Sequence, residues 1–586
     1  MLKKNLRLPN IVIAILLNAF FFVLAIALCD PKYEVSDDFI IASVLSGAFG
    51  DNFNPMCMYI NPILAYIFLP FYKIYPCISW YFVAQLILSL VSFIGITYML
   101  LENLHKKYAY LLAVLFIIFF SDDAYILVQF TKTAMIVGMS GAIIFLWSLF
   151  YKKSKCWIII GGLLCLVGSM IRFSVIYIMG GFIIGILFWS LKEEWMKQKS
   201  IVNILKIKIL PGLILIGVVF GFQYMYIHIY SNDQEYNPFF QYNSARASVV
   251  DRSDYGYEAY KEELEDLGVS ENDYLAMRTW NFADPDYFSA NKLEDVGKVI
   301  AKYKDNLKID WNDIFVKIQD RGLQTYTVFK ACILLILIAI FFQKGFLKYI
   351  GYFMFVACIY EIYLFLRERV VYRVEYGIFF CAFVSLLYFW NQKKMRNLGD
   401  NIEIRNICVI IFGMLLMLKL FFYIPDFSYK KVDSNSRKEY IESVFWASDK
   451  FDTRKYKKVV NKDVPANGLL EEMTNNKNNF YFLDFQTTIQ TLFYEWSPFF
   501  NLPIGYFDNF AYFGGVTTNF PDINNNLEEH EVENPMLSLL EDNVYLVDNS
   551  TLMIKLNYIR EHYYPNAKAE LYKEVAGYQI WKLYKE

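Results

Sequence analysis

The chain contains no CxxC pair, and neither of its long polar segments contains a cysteine; this excludes a disulfide scaffold or a cysteine-held metal cluster there. Histidine is scarce. His105, His228, His530 and His562 are scattered, and no two have ligand spacing. No basic block, RNA-binding signature or zinc-finger spacing occurs, so no nucleic-acid partner is expected. Gly514-Gly515 is not followed by Gly-Lys-Ser/Thr, which makes it a turn rather than a phosphate loop. There is no internal repeat and no low-complexity linker. Charge is thin at 19%, against about a quarter in soluble domains.

What is present is apolar. Hydrophobic residues make up 56% of the 586, concentrated in long runs, the pattern of a polytopic membrane protein. Runs that could span are Ile11–Leu28, Trp80–Leu101, Tyr108–Phe120, Tyr125–Phe150, Trp157–Met170, Ser174–Leu191, Ile209–His228, Thr325–Phe342, Leu347–Leu366, Val374–Asn391 and Ile404–Ile424. That predicts about eleven helices by the rule of about 20 residues per span. The runs at 108–120 and 157–170 are short for it. Met1-Leu2-Lys3-Lys4 and the first run resemble a signal peptide, but no small-x-small site follows, so an uncleaved first helix is expected.

Orientation is set by lysine and arginine in short loops. Lys3, Lys4, Arg7, Lys106, Lys107, Lys152, Lys153, Lys155, Lys192, Lys197, Lys344, Lys348, Lys393, Lys394 and Arg396 all fall inside if the N-terminus is cytoplasmic. The expected location is then a multi-pass plasma-membrane protein with its C-terminal domain extracytoplasmic. This requires that Asn61–Ile74, apolar but short and interrupted by Pro70, be re-entrant or interfacial rather than spanning. Asp38–Phe49 is read as a second surface-lying helix.

The expected organisation is a transmembrane module at 1–228 with a first outer loop at 29–78, a helical outer loop at 229–324, further spans at 325–424, and a soluble α/β or α+β domain at 425–586. Within 229–324, helices are predicted around Glu258–Leu267, Glu271–Trp280, Leu293–Tyr303 and Trp311–Gln324, with Ser270 and Ser289 as N-caps. In the terminal domain, helices are predicted near Arg437–Ser448 and Leu552–Tyr564. Strands are predicted at Phe480–Phe485, Asn543–Val547 and Glu570–Leu583, the last turning at Gly577.

Two acidic pairs, Asp37-Asp38 and Asp122-Asp123, fall at helix ends on the same predicted outer side. Carboxylates at a bilayer edge are costly unless solvated, paired or used. The bland readings are a helix N-terminus favoured by its dipole and a polar turn. The order Asp37-Asp38, then Asn61-Pro62-Ile63-Leu64, then Pro76 and Ser79-Trp80, resembles the GT-C superfamily of integral-membrane glycosyltransferases. Asp122-Asp123 matches the acidic residue those proteins often carry in the second outer loop. The likeness covers residues 1 to about 200, is general over 325–425, and gives no match for 231–324 or from Pro425 on.

That resemblance implies inverting transfer of a sugar from a polyprenyl-phosphate donor, a lipid-linked partner, to a glycan or lipid acceptor outside the membrane. Asp37 or Asp38 would be the base, one facing the site and the other supporting it, since adjacent helical residues point about 100° apart. Candidates for the donor phosphate are Lys132, Arg172, Arg367, Arg369 and Arg373, because guanidinium binds phosphate bidentately. Snorkelling, or pairing with Glu361, Glu368 or Glu375, is the alternative for the arginines. Lys132 lies in an apolar run beside Gln129, Thr131 and Thr133, where an ionisable group faces a cavity or a partner, and Asp122 or Asp123 is its expected partner. No cofactor is required. Asp37, Asp38, Asp122 and Asp123 leave open a divalent cation, magnesium or manganese. Other classes also fit part of the pattern: a lipid or polysaccharide transporter or flippase, and a non-catalytic membrane assembly protein.

Overall fold

The computed structural model describes residues 8–28, 31–152, 154–198, 200–306, 310–312, 314–316, 327–343, 345–390, 467–485 and 497–586. The expected span at Ile404–Ile424, the helix near Arg437–Ser448 and most of Trp311–Gln324 lie outside the described residues.

Among the described residues, six helices are long and apolar enough to cross a membrane: Asn10–Ala27, Trp80–Asn103, Phe130–Lys152, Val175–Lys197, Ile201–Asn232 and Leu347–Leu366. Four shorter apolar helices accompany them: Pro62–Ile74, Tyr108–Ser121, Lys155–Ile171 and Ala331–Ile340. At 1.5 Å per residue, the 17 residues of Lys155–Ile171 reach about 25 Å, short of a hydrocarbon core of about 30 Å.

In chain order the first elements are α1 (Asn10–Leu28), β1 (Lys32–Tyr33), α2 (Ser36–Leu45), α3 (Pro62–Ile74), α4 (Trp80–Asn103), α5 (Lys106–Tyr125), β2 (Leu127–Val128), α6 (Phe130–Trp147), α7 (Lys155–Ile171) and α8 (Val175–Gln198). Then come α9 (Ile201–Ile204) and α10 (Leu210–Asn232). The α6 helix is buried along its whole length and packs against α4, α7 and α8. Its closest neighbour is α7, because Gly141 and Gly161 face each other. A Cβ on either would collide with the opposite backbone, so only hydrogen permits this approach. The apolar run predicts a helix from Tyr125. Instead Tyr125 ends α5, residues 127–128 form a strand, and the Gln129 side chain caps α6 by accepting from Thr131 N at 2.7 Å.

The 29–78 loop folds back on the bundle. β1 pairs in parallel with β2, Lys32 opposite Leu127 and Tyr33 opposite Val128. The short apolar helix expected after Asn61 is present: Asn61 caps α3 by accepting from Ile63 N at 3.0 Å, with Pro62 in the first turn. The Asn61 amide also donates to Phe222 O at 2.8 Å, tying α3 to α10.

The described residues within 229–324 include α11 (Tyr236–Val250), α12 (Lys261–Asp266), α13 (Glu271–Arg278) and α14 (Ala290–Asn306). Ser270 caps α13 in a capping box with Asp273. Next come α15 (Thr327–Phe342), α16 (Leu347–Leu366) and α17 (Tyr372–Tyr388), the last packed on α6.

The terminal domain carries helices α18 (Asn467–Asn475), α19 (Pro521–Glu529), α20 (Pro535–Ser538) and α21 (Leu552–His562). Its sheet has strand order β4 (Phe510–Phe513), β3 (Phe480–Asp484), β5 (Val544–Val547), β7 (Tyr578–Tyr584) and β6 (Lys568–Val575). The first three run parallel, and β7 is antiparallel to both neighbours. Lys555 of α21 is buried between Asp484 and Asp548, 2.6 Å from each. Burial opposes its charge, yet the two carboxylates outweigh that and hold the ammonium above its ordinary value. The domain is joined to the 29–78 loop: Phe507 N donates to Ala48 O at 3.0 Å, and the Phe49 and Phe507 rings stack at 4.4 Å.

Candidate functional site

The two ends of the β1–β2 ladder bring distant charges together. Glu34 follows β1, and Lys132 lies in the first turn of α6, just past β2. The Lys132 ammonium is 2.5 Å from Glu34 Oε2 and 2.9 Å from Asp123 Oδ1, and it donates to Leu127 O at 2.6 Å. Tyr372, at the start of α17, donates to the other Asp123 oxygen at 2.9 Å. The rings of Tyr372 and Tyr376 each lie 5.7 Å from the ammonium. One buried cation therefore collects the loop, the end of α5, α6 and α17. The expected partnership of Lys132 with Asp123 is present. Its depth differs from the sequence reading, because α6 starts five residues later than expected.

Beside this group, Asp38 is fully buried in the first turn of α2. Its carboxylate accepts from Tyr81 Oη at 2.8 Å, Gln85 Nε2 at 3.1 Å and Phe130 N at 3.1 Å. Gln85 in turn accepts from Thr133 Oγ1 at 2.8 Å, closing a network between α2, α4 and α6. Burial pushes the Asp38 carboxyl up to about 7; the three donors pull it down without cancelling that, and Asp37 adds to the rise.

Asp37 is half-buried and faces a different environment. Its charge acts on Arg172, in the turn between α7 and α8. The Arg172 guanidinium lies 4.9 Å from the Phe130 ring centre and 5.9 Å from that of Tyr59, and its Nε is 3.2 Å from Ser174 Oγ. Burial, then the like charge of Arg373, lower its proton affinity, while Asp37 acts in the opposite sense. Tyr59 sits at φ 68, a left-handed conformation costly for a bulky residue.

Six of the nine residues singled out from sequence thus share one end of the bundle: Asp37, Asp38, Asp123, Lys132, Arg172 and Arg373. Arg369 is exposed; it pairs with Asp251 at 3.0 Å and also acts on Arg172. Arg367 is exposed and donates to Tyr363 Oη at 3.2 Å. Asp122 lies in α5, and its side chain is outside the described residues. Sequence reasoning passes over Glu34, Tyr81, Gln85 and Tyr372. Glu34 stands three residues before the singled-out pair and Tyr372 next to Arg373, but only the strand pairing makes Glu34 a neighbour of Lys132, and only the packing of α17 on α6 brings Tyr372 there.

Of the four carboxylates considered for a divalent cation, two are engaged by protein donors. Asp38 is taken up by three protein donors, and Asp123 by Lys132 and Tyr372. Among the described residues, the three metal-type ligands that gather within 4.8 Å are Asp273, Glu561 and His562, far along the chain. There Asp273 accepts from His562 at 2.7 Å and serves the α13 cap, so that trio fastens α13 to α21.

A polar cavity of about 300 Å³ opens between the 29–78 loop, α11 and the terminal domain. Asn54, Tyr236, Asp508, Asp522, Asn526 and Glu529 contribute to its lining. Asn54 Nδ2 and Tyr236 Oη donate to Asp522 at 2.8 and 3.1 Å.

Compared with known proteins, the chain matches no family model, no curated sequence and no solved structure.

Proposed function

We propose that this chain is an inverting glycosyltransferase that takes a sugar from a polyprenyl-phosphate donor at the extracytoplasmic face of the plasma membrane. The single observation that carries the reading is that the charges of Asp37 and Arg373 both act on the buried Arg172, near the hydrogen-bonded Asp38, at one end of an apolar bundle. Asp37 is the base, because it is half-exposed while Asp38 is enclosed and already accepts three hydrogen bonds. Asp38 is a positioning residue that fixes α2 against α4 and α6. In the step, the acceptor hydroxyl gives its proton to Asp37 and its oxygen bonds to the anomeric carbon. The bond from that carbon to the phosphate oxygen breaks, and the electron pair leaves with polyprenyl phosphate. Arg172 and Arg373 stabilise the departing phosphate. The polar cavity beside the terminal domain is suited to a hydroxyl-rich acceptor.

A second reading, a non-catalytic assembly protein, draws on one observation: Asp38, Asp123 and Lys132 are all occupied by protein partners. The two are separated by Asp37→Asn in reconstituted vesicles supplied with polyprenyl-phosphate sugars. Transfer is expected to fall at least 100-fold with expression unchanged. A variant as active as wild type would remove Asp37 as the base. No transfer by wild-type protein with any donor would leave the assembly reading.

A further inference from the structure

Arg246, in the middle of α11, is 3% exposed. A guanidinium at that depth requires compensation, since the cost of removing a charge from water is met only by pairing. Its Nε and Nη2 both point to Asn243 Oδ1, a neutral oxygen, and its plane lies 4.7 Å from the Trp280 ring centre. The acids nearest in the chain are engaged elsewhere: Asp251 with Arg369 at 3.0 Å, and Asp254 with Arg278 at 3.3 Å. Arg246 Nη1 is buried and has no hydrogen-bond partner among the described residues. One helical turn earlier on the same face, the buried Tyr242 hydroxyl also has none among them. Two donors on one helix face without a partner among the described residues, one of them a guanidinium with no ion pair among them, define a place for an oxyanion.

The position agrees with this. The Tyr59 hydroxyl lies in the fields of both Arg246 and Arg172, together with Asp37 and Asp251. Arg246 therefore approaches the same neighbourhood as the proposed reaction site, but from the 229–324 segment. Trp280, which stacks on it, is itself held at φ 67, and its carbonyl accepts from Gly515 N of the terminal domain at 2.9 Å.

We propose that Arg246 and Tyr242 form a binding site for a phosphate-type oxyanion. The role this gives them in gripping a donor rests on the transfer reading; the site itself does not. Two sources share the chemistry, a lipid-linked phosphate and free phosphate.

The test is thermal unfolding of the full chain in nanodiscs, in a phosphate-free buffer, with inorganic phosphate or geranyl phosphate added and geraniol as control. Wild-type protein is expected to unfold at a higher temperature with a phosphate probe and not with geraniol. A response to geranyl phosphate alone assigns the site to lipid-linked phosphate, and a response to both assigns it to the free oxyanion. Arg246→Met should weaken the response at least tenfold and Tyr242→Phe several-fold. Without any probe, Arg246→Met should unfold no lower than wild type, because a buried charge with no ion pair among the described residues has been removed. No response in wild type, or an undiminished response in Arg246→Met, overturns the site, as does a lower probe-free midpoint in Arg246→Met. Asp37→Asn should keep the full phosphate response. If it does so while also transferring sugar normally, Asp37 is not the base; if wild-type protein responds to phosphate but transfers no sugar from any donor, the transfer reading falls and the oxyanion site stands.

Discussion

Replacing Lys132 with methionine tests whether the buried charge cluster organises this end of the bundle. The ammonium is 2.5 Å from Glu34 and 2.9 Å from Asp123, with all three side chains enclosed. Methionine fills similar volume but takes away the ammonium that both carboxylates share. Removing one partner of a buried pair costs about 3–5 kcal/mol. Two carboxylates depend on this lysine, which favours the upper half of that range unless one of them takes up a proton. A loss of about 4 kcal/mol shifts the folding equilibrium roughly a thousandfold. The companion variant is Lys132→Met with Glu34→Gln and Asp123→Asn. It removes the charges together and should recover most of the loss, since Tyr372 can still donate to the amide oxygen that takes the place of the Asp123 carboxylate. Denaturant-driven unfolding in bicelles, followed by far-UV circular dichroism, reads all three proteins. If the single variant stays within about 1 kcal/mol of wild type, or the triple variant is no better than the single, the cluster does not carry the fold as argued.

Asp38 supplies a pH signature. Its folded-state value of about 7 lies above the ordinary 3.8, so the folded chain keeps a proton that the unfolded chain releases. This contribution to stability is full below about pH 4 and fades as pH rises through 7, by at most about 4 kcal/mol. Asp38→Asn should flatten that slope in unfolding midpoints taken from pH 4 to 8, and equal slopes in the two proteins would refute the assignment. Gly161→Val should force α6 and α7 apart at a cost of at least about 1–3 kcal/mol, and unchanged stability would show that the helices do not meet there as described.

Much of the architecture is legible in the sequence because apolar length is a strong signal. The runs at 80–101, 174–191, 209–228 and 347–366 each begin within one residue of a helix. Strands at Phe480, Val544 and on either side of Gly577 follow their alternating or β-rich patterns, and the Ala576-Gly577 turn has φ of 52 and 85. The strand Phe510–Phe513 is not legible, since four apolar residues in an aromatic-rich stretch carry no period of their own. The two-residue ladder at 32–33 and 127–128 has no local signal at all, because nothing in either dipeptide names the other. The acidic pairs and Arg172 stand out as charges in apolar company. Arg246 does not, since it lies in a helix of mixed polarity and only its burial makes it unusual.

The ladder between Lys32–Tyr33 and Leu127–Val128 also constrains biosynthesis. About ninety residues must leave the ribosome before the earlier strand can meet its mate. Until then Glu34 and Asp38 have neither the lysine nor the amide that later receives them, so they wait in water while α4 and α5 are inserted. Maturation of this corner is therefore a late event, set by the arrival of α6, and a stall in translation just before Phe130 should leave the nascent chain open to proteases at residues 29–78.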